Sequence, residues 1–133
     1  MSDLGQTIDV AESFDAAVER VTAALAAEGF GIVSRVDLDK AFRDKLGAEF
    51  RRYAILGACN PKMAKMAVEA RPEVGLLLPC NIVVEERGDA ARVRIVDAAA
   101  MLSVGDLNDS DAIRALSEDA RARLGRVGAA LAA

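Results

Sequence analysis

Apolar side chains recur along this chain with two periods, and the switches between them mark out the elements. Gln6 to Val10 alternates, with Ile8 and Val10 pointing one way and Thr7 and Asp9 the other, which predicts a short strand. Ser13 then offers an N-cap. Phe14, Ala17, Val18, Val21 and Leu25 follow at helical spacing, and Gly29 stands where a glycine stops a helix, so a helix is expected over 13–28. Phe30 to Val36 predicts a strand with Phe30, Ile32 and Val36 on one face and Val33 and Arg35 on the other. Residues 39–46 predict a short helix capped by Asp39, burying Phe42 and Leu46 and stopping at Gly47.

A longer strand is expected from Phe50 to Cys59. After it, Asn60 suits an N-cap and Pro61 the first helical position, where a missing N–H costs nothing. The helix that follows sets Met63, Met66, Ala67 and Ala70 on one side and ends at Arg71-Pro72. Leu76 to Glu86 reads as a strand interrupted by Pro79, which implies an edge or a bulge. Gly88-Asp89 turns the chain into a strand where Val93 and Ile95 alternate with Arg92 and Arg94. A loop from Ala98 to about Asp109 leads into a last helix whose stripe is Ile113, Leu116, Ala120, Leu124, Val127 and Leu131. The order is β-α-β-(short α)-β-α-β-β-α. It predicts one α+β domain over residues 1–133, its long helices covering one face of a mainly antiparallel sheet. The other face would carry Arg35, Arg92 and Arg94, with Arg52 beside them.

Composition narrows the chemistry. The chain has 133 residues; 53% are hydrophobic, but 27 of those are alanine, so the larger apolar side chains suffice for one core. No histidine is present, which removes every His-based triad, every His-ligated metal site and the usual general base near neutral pH. The net charge of −4 argues against nonspecific binding to nucleic acid or an anionic membrane. Met1-Ser2-Asp3-Leu4-Gly5 has no basic, apolar leader pattern, no stretch has a membrane helix's length, and two cysteines are too few for a disulfide scaffold. A cytoplasmic location is expected.

Cys59-Asn60-Pro61 is the sharpest local feature. A thiol just before a helix N-terminus, near Lys62, would be stabilised as thiolate; the alternative is a small buried hydrophobe where strand meets helix. Cys80 shares a strand face with Leu78 and Ile82, which favours a core position. Both cysteines precede an asparagine, and neighbouring strands would bring Cys59, Asn60 and Lys62 towards Cys80 and Asn81. That cluster is the candidate ligand site. A redox pair or half of a thiolate metal site is the alternative, although no Cys-x-x-Cys spacing supports it. Asp106 to Asp111 superficially matches a calcium loop but lacks the sixth-position glycine and the twelfth-position glutamate, so its acids read as helix caps. No cofactor or metal is expected, and no acid–base pair marks an enzyme. The few aromatics sit at core-like positions, so no nucleic-acid partner is expected either.

Two paired motifs carry a resemblance. Ile55-Leu56-Gly57-Ala58-Cys59-Asn60-Pro61 and Pro72-Glu73-Val74-Gly75-Leu76-Leu77-Leu78-Pro79-Cys80-Asn81-Ile82-Val83-Val84 are similar to the domain-of-unknown-function 302 (DUF302) family. Asp44-Lys45-Leu46-Gly47 and Met101-Leu102 resemble it too, while Ala98 departs from the proline usual there. The resemblance covers nearly the whole chain. It implies a β-α-β4-α domain of the TATA-box-binding-protein-like kind, often a homodimer, and brings no activity or catalytic residue. Taken together, these readings give a homodimeric binding or accessory module with a small-ligand or anion site near Cys59 and Cys80. The alternatives are a thiol-redox or thiolate-metal protein and a structural protein-interaction domain.

Overall fold

Five strands form one antiparallel sheet in the order β1-β5-β4-β3-β2: β1 Gly5–Val10, β2 Gly31–Asp37, β3 Tyr53–Cys59, β4 Cys80–Arg87 and β5 Ala90–Val96. The computed structural model describes residues 4–133, so the leader reading at Met1, Ser2 and Asp3 lies outside them. Two long helices, α1 (Phe14–Ala27) and α5 (Asp111–Ala132), lie against one sheet face. Shorter helices fill the connections: α2 (Leu38–Leu46), α3 (Pro61–Ala70) and α4 (Ala98–Met101), with 3-10 turns at Pro72–Leu77 and Leu107–Asp109. The α+β architecture expected from the residues is the one found. Among the described residues no helix is long and apolar enough to cross a membrane.

Local chemistry accounts for the helix ends. Ser13 accepts from Ala16 N and opens α1; Gly29, at φ 85°, closes it in a conformation that costs other residues a Cβ clash. The α1 stripe then buries Phe14, Ala17, Val21 and Leu25 against Leu56, Ile82, Val84, Val93 and Ile95. Each large side chain sealed there contributes about 1.5–3 kcal/mol. The α5 stripe is buried at all six expected positions. A second, smaller core gathers Ala67, Val74, Leu102, Leu107, Ile113 and Leu116 beneath α3 and the start of α5, and Met63 and Met101 touch both cores.

Several expectations need correcting. A bulge between Ile32 and Ser34 in β2 leaves Val33 out of the register and flips every residue beyond it. Arg35 therefore pairs with Leu56 on the helix side, while Val36, paired with Ile55, faces water and is 47% exposed. Arg52 is also on the helix side, stacked 4.1 Å over Phe14 and paired with Asp15 at 3.0 Å. Arg51 takes its place on the outer face. Asp39 caps nothing: it is buried and accepts from Tyr53 N at 3.0 Å, tying α2 to β3. Leu46 is exposed, and Phe42 is only half-buried, packing on the Phe50 ring at 5.3 Å. The strand drawn from Phe50 starts at Tyr53, and Leu76 to Leu78 is a 3-10 turn and its exit, so Pro79 precedes β4 instead of interrupting it. Asp97 caps α4, accepting from Ala99 and Ala100, within what read as a loop. Ser110, not an acid, caps α5, and Asp106 instead pairs with Arg71 at 2.7 Å.

Candidate functional site

The predicted site residues stand where β3 gives way to α3. Asn60 Oδ1 accepts from Met63 N at 3.2 Å, the Asn60 carbonyl accepts from Ala64 N at 2.8 Å, and Pro61 has no N–H to satisfy. Asn60 is thus fixed by its capping role, and it fixes Cys59 immediately before it. On the neighbouring strand Cys80 pairs with Ala58, one residue before Cys59. Both cysteines are free; Cys59 is half-buried and Cys80 buried.

Cys59, Asn60 and Cys80 share one cavity of about 280 Å³. Its walls come from both cores: Phe30, Ala58 and Ala120 from the main one, Ala67, Leu102 and Leu116 from the smaller. Every other lining residue is apolar, and none is charged. The cavity therefore lies in the seam where two hydrophobic cores meet imperfectly. Lys62 does not line it. It borders an adjoining groove of about 640 Å³ between α3 and α5, which shares Asn60, Met63 and Leu116 with the cavity. Asn81 is further off: it pairs with Gly57 on the outer face and is exposed. Alternation puts neighbours on opposite faces, so an asparagine beside Cys80 could not point where Cys80 points.

Two close approaches shape this corner. A Cβ at Gly57 would stand 2.1 Å from Ser34 Oγ and 2.6 Å from Pro79 Cγ, so glycine is what lets Pro79 close over β3. Pro79 is itself part of the cavity wall. Val33, the residue the bulge ejects, lines the cavity as well, although alternation alone assigned it to the opposite face from Phe30. Leu116 and Ala120 reach the cavity through the packing of α5 and Leu102 through the end of α4, placements that depend on long-range docking. Among sequence signals, an apolar stripe on α5 with small Ala120 in it was the only hint.

Burial pushes the Cys80 thiol up to about 11, and the neighbouring Cys59 adds to the rise. A group in that state stays protonated near neutral pH and is a poor nucleophile or metal ligand. Among the described residues no group of three or more Cys, Asp or Glu side chains is placed to hold a metal ion.

Comparison with known proteins gives fold and kinship. The profile of the family described as "Domain of unknown function DUF302" matches residues 6–131. The crystal structure of an uncharacterized conserved DUF302 protein from Bacillus stearothermophilus superposes with a TM-score of 0.83 at 23% identity, covering 98% of this chain and 99% of that one. No curated protein matches the chain.

Proposed function

The chain belongs to the DUF302 family, and from that premise and the geometry above we propose that it is a small binding module whose ligand occupies the cavity beside Cys59 and Cys80. The observation that carries this reading is a charge-free concavity at the junction of two cores. Its size sits just under the range of about 300–1,000 Å³ typical of small-molecule pockets. With no lysine or arginine in the wall, an apolar ligand fits better than an anion. Lys62 and the amide of Asn60 would meet only a part of the ligand that reaches the adjoining groove, and Asn81 would take no part. Titration with hexanol, followed by backbone amide NMR, tests the reading. Saturable shifts at Ala58, Cys59, Ala67, Cys80 and Leu116 support it; a flat response across those residues overturns it.

A thiol-redox protein is the second reading, favoured by two free cysteines opening on one cavity. The raised Cys80 thiol weighs against a thiolate pair. Alkylation near neutral pH should modify Cys59 and spare Cys80; equal rates at both would support the redox reading over the binding one. We also propose a homodimer working in the cytoplasm. Support for the dimer comes from exposed Val36, paired with half-buried Ile55 on the outer face, and from exposed Phe50, packed against Tyr53. Sedimentation velocity showing only monomer at high concentration would remove it.

A further inference from the structure

The sheet face turned away from α1 and α5 carries a built arrangement of arginines. Cross-strand partners Glu85, Arg92 and Asp9 form a row over β4, β5 and β1, so opposite charges stand directly side by side. Arg92 holds Asp9 through two bonds, from Nε at 2.7 Å and Nη2 at 3.1 Å, and Arg87 Nη1 reaches the same carboxylate at 2.7 Å. Glu85 in turn takes Arg51 at 2.5 Å and Arg94. Glu85 is only 5% exposed, although it lies on the side of the sheet that neither long helix covers. Burial pushes its carboxyl up, but hydrogen bonds from Arg94 and Arg51 more than reverse this and hold it below the usual carboxylate value. It therefore stays ionised at neutral pH and keeps its two arginines in place.

The arginines are not exhausted by these pairs. Arg87 and Arg94 each commit one nitrogen to a carboxylate, whereas a guanidinium offers five N–H donors. All four guanidiniums border a single basin of about 610 Å³, with Glu85, Glu86 and Gly88 completing its wall. Counting Asp9, four positive groups face three negative ones, a local reversal on a chain whose net charge is −4. Several planar forks held on rigid strands suit a tetrahedral group with many acceptor oxygens better than they suit a halide.

From this arrangement we infer that the basin binds a phosphate group, either as inorganic phosphate or as the head of a small phosphomonoester. Arg87, Arg92 and Arg94 supply the contacts, and Glu85 and Asp9 are positioning residues that hold the guanidiniums. This is separate from the apolar cavity and survives its failure.

The test is titration with inorganic phosphate and, in parallel, with glycerol phosphate, against chloride at equal ionic strength. The readout is the arginine Nε–H signals and the amides of residues 85–94. Saturable shifts with either phosphate and none with chloride are expected. Tighter binding of the ester would assign the basin to a carried phosphate, and equal binding to the free ion. Arg87→Ala, at an exposed position where Arg92 still holds Asp9, should weaken binding about tenfold. Glu85→Gln separates positioning from bulk attraction. It adds one net positive charge, so attraction alone predicts tighter binding, whereas a positioning carboxylate predicts weaker binding. Tighter binding by Glu85→Gln overturns the positioning role. A phosphate response no different from chloride, or saturation by an oligonucleotide alone, overturns the site.

Discussion

The seam cavity and the arginine basin solve opposite problems on opposite sides of one sheet. Behind the sheet, apolar side chains from α3, α5 and the ends of β3 and β4 leave a space that no charge borders. In front, charge is abundant, and the buried Glu85 and the exposed Asp9 are each held by two arginines. The difference teaches where each region is fragile. An apolar seam tolerates changes of shape and rejects charge, whereas a paired network tolerates added charge and rejects loss of a partner.

Moving the same charge between the two regions should give the largest contrast. Cys80→Asp puts a carboxylate without a cation into the seam and should cost about 3–5 kcal/mol in urea unfolding. Thr7→Asp, exposed and paired across the strands with Arg94, should stay within about 0.5 kcal/mol. Equal costs would erase the distinction.

Removing a partner from the network comes next. Glu85→Ala leaves Arg51 and Arg94 facing each other and should cost about 1–3 kcal/mol by the same measurement. Acid probes the same links. The carboxyls of Asp9 and Glu85 are both lowered in the fold, so their stabilisation is complete above the ordinary values of 3.8 and 4.5 and fades as pH falls below them. Unfolding midpoints followed down through that window should decline, and Glu85→Gln should flatten the decline.

The smallest expected effect is a change of shape in the seam. Ala67→Leu pushes a larger side chain into the cavity and should shift stability by less than about 1.5 kcal/mol while abolishing hexanol binding. Lost stability with retained binding would mean that the ligand sits elsewhere.

Much of this frame was legible along the chain, because caps and periodicity are local. Ser13 and Asn60 accept the backbone bonds their positions foretold, and the β4–β5 hairpin turns at Gly88. What failed was long-range or depended on counting. One extra residue in β2 exchanged the faces of Arg35 and Val36, and no composition signal announces a bulge without glycine. Asp39 looked like a cap because it stands at a helix start, but its partner is Tyr53 N, fourteen positions on. At the site, Cys59, Asn60 and Cys80 meet because adjacent strands place them together. Asn81 was misplaced by one step of alternation, and the wall from α5 was invisible until that helix had docked. The arginines of β5 were assigned to the outer face, but no local pattern singled out Glu85, which binds Arg94 and Arg51 there.

The sheet order carries a kinetic consequence. The first strand has no partner near it in the chain: Asp9 meets Arg92 across 83 positions, and Gln6 Nε2 reaches the Leu124 carbonyl across 118. As the polypeptide emerges from the ribosome, residues 5–10 have no ladder to join until β5 has been made, and Gln6 has no Leu124 carbonyl until much of the final helix has followed. Closing such a long loop is entropically slow, so β1 joins the sheet after its other four strands. Until that moment, the outer edge of β5 stands open to any extended segment that can pair with it.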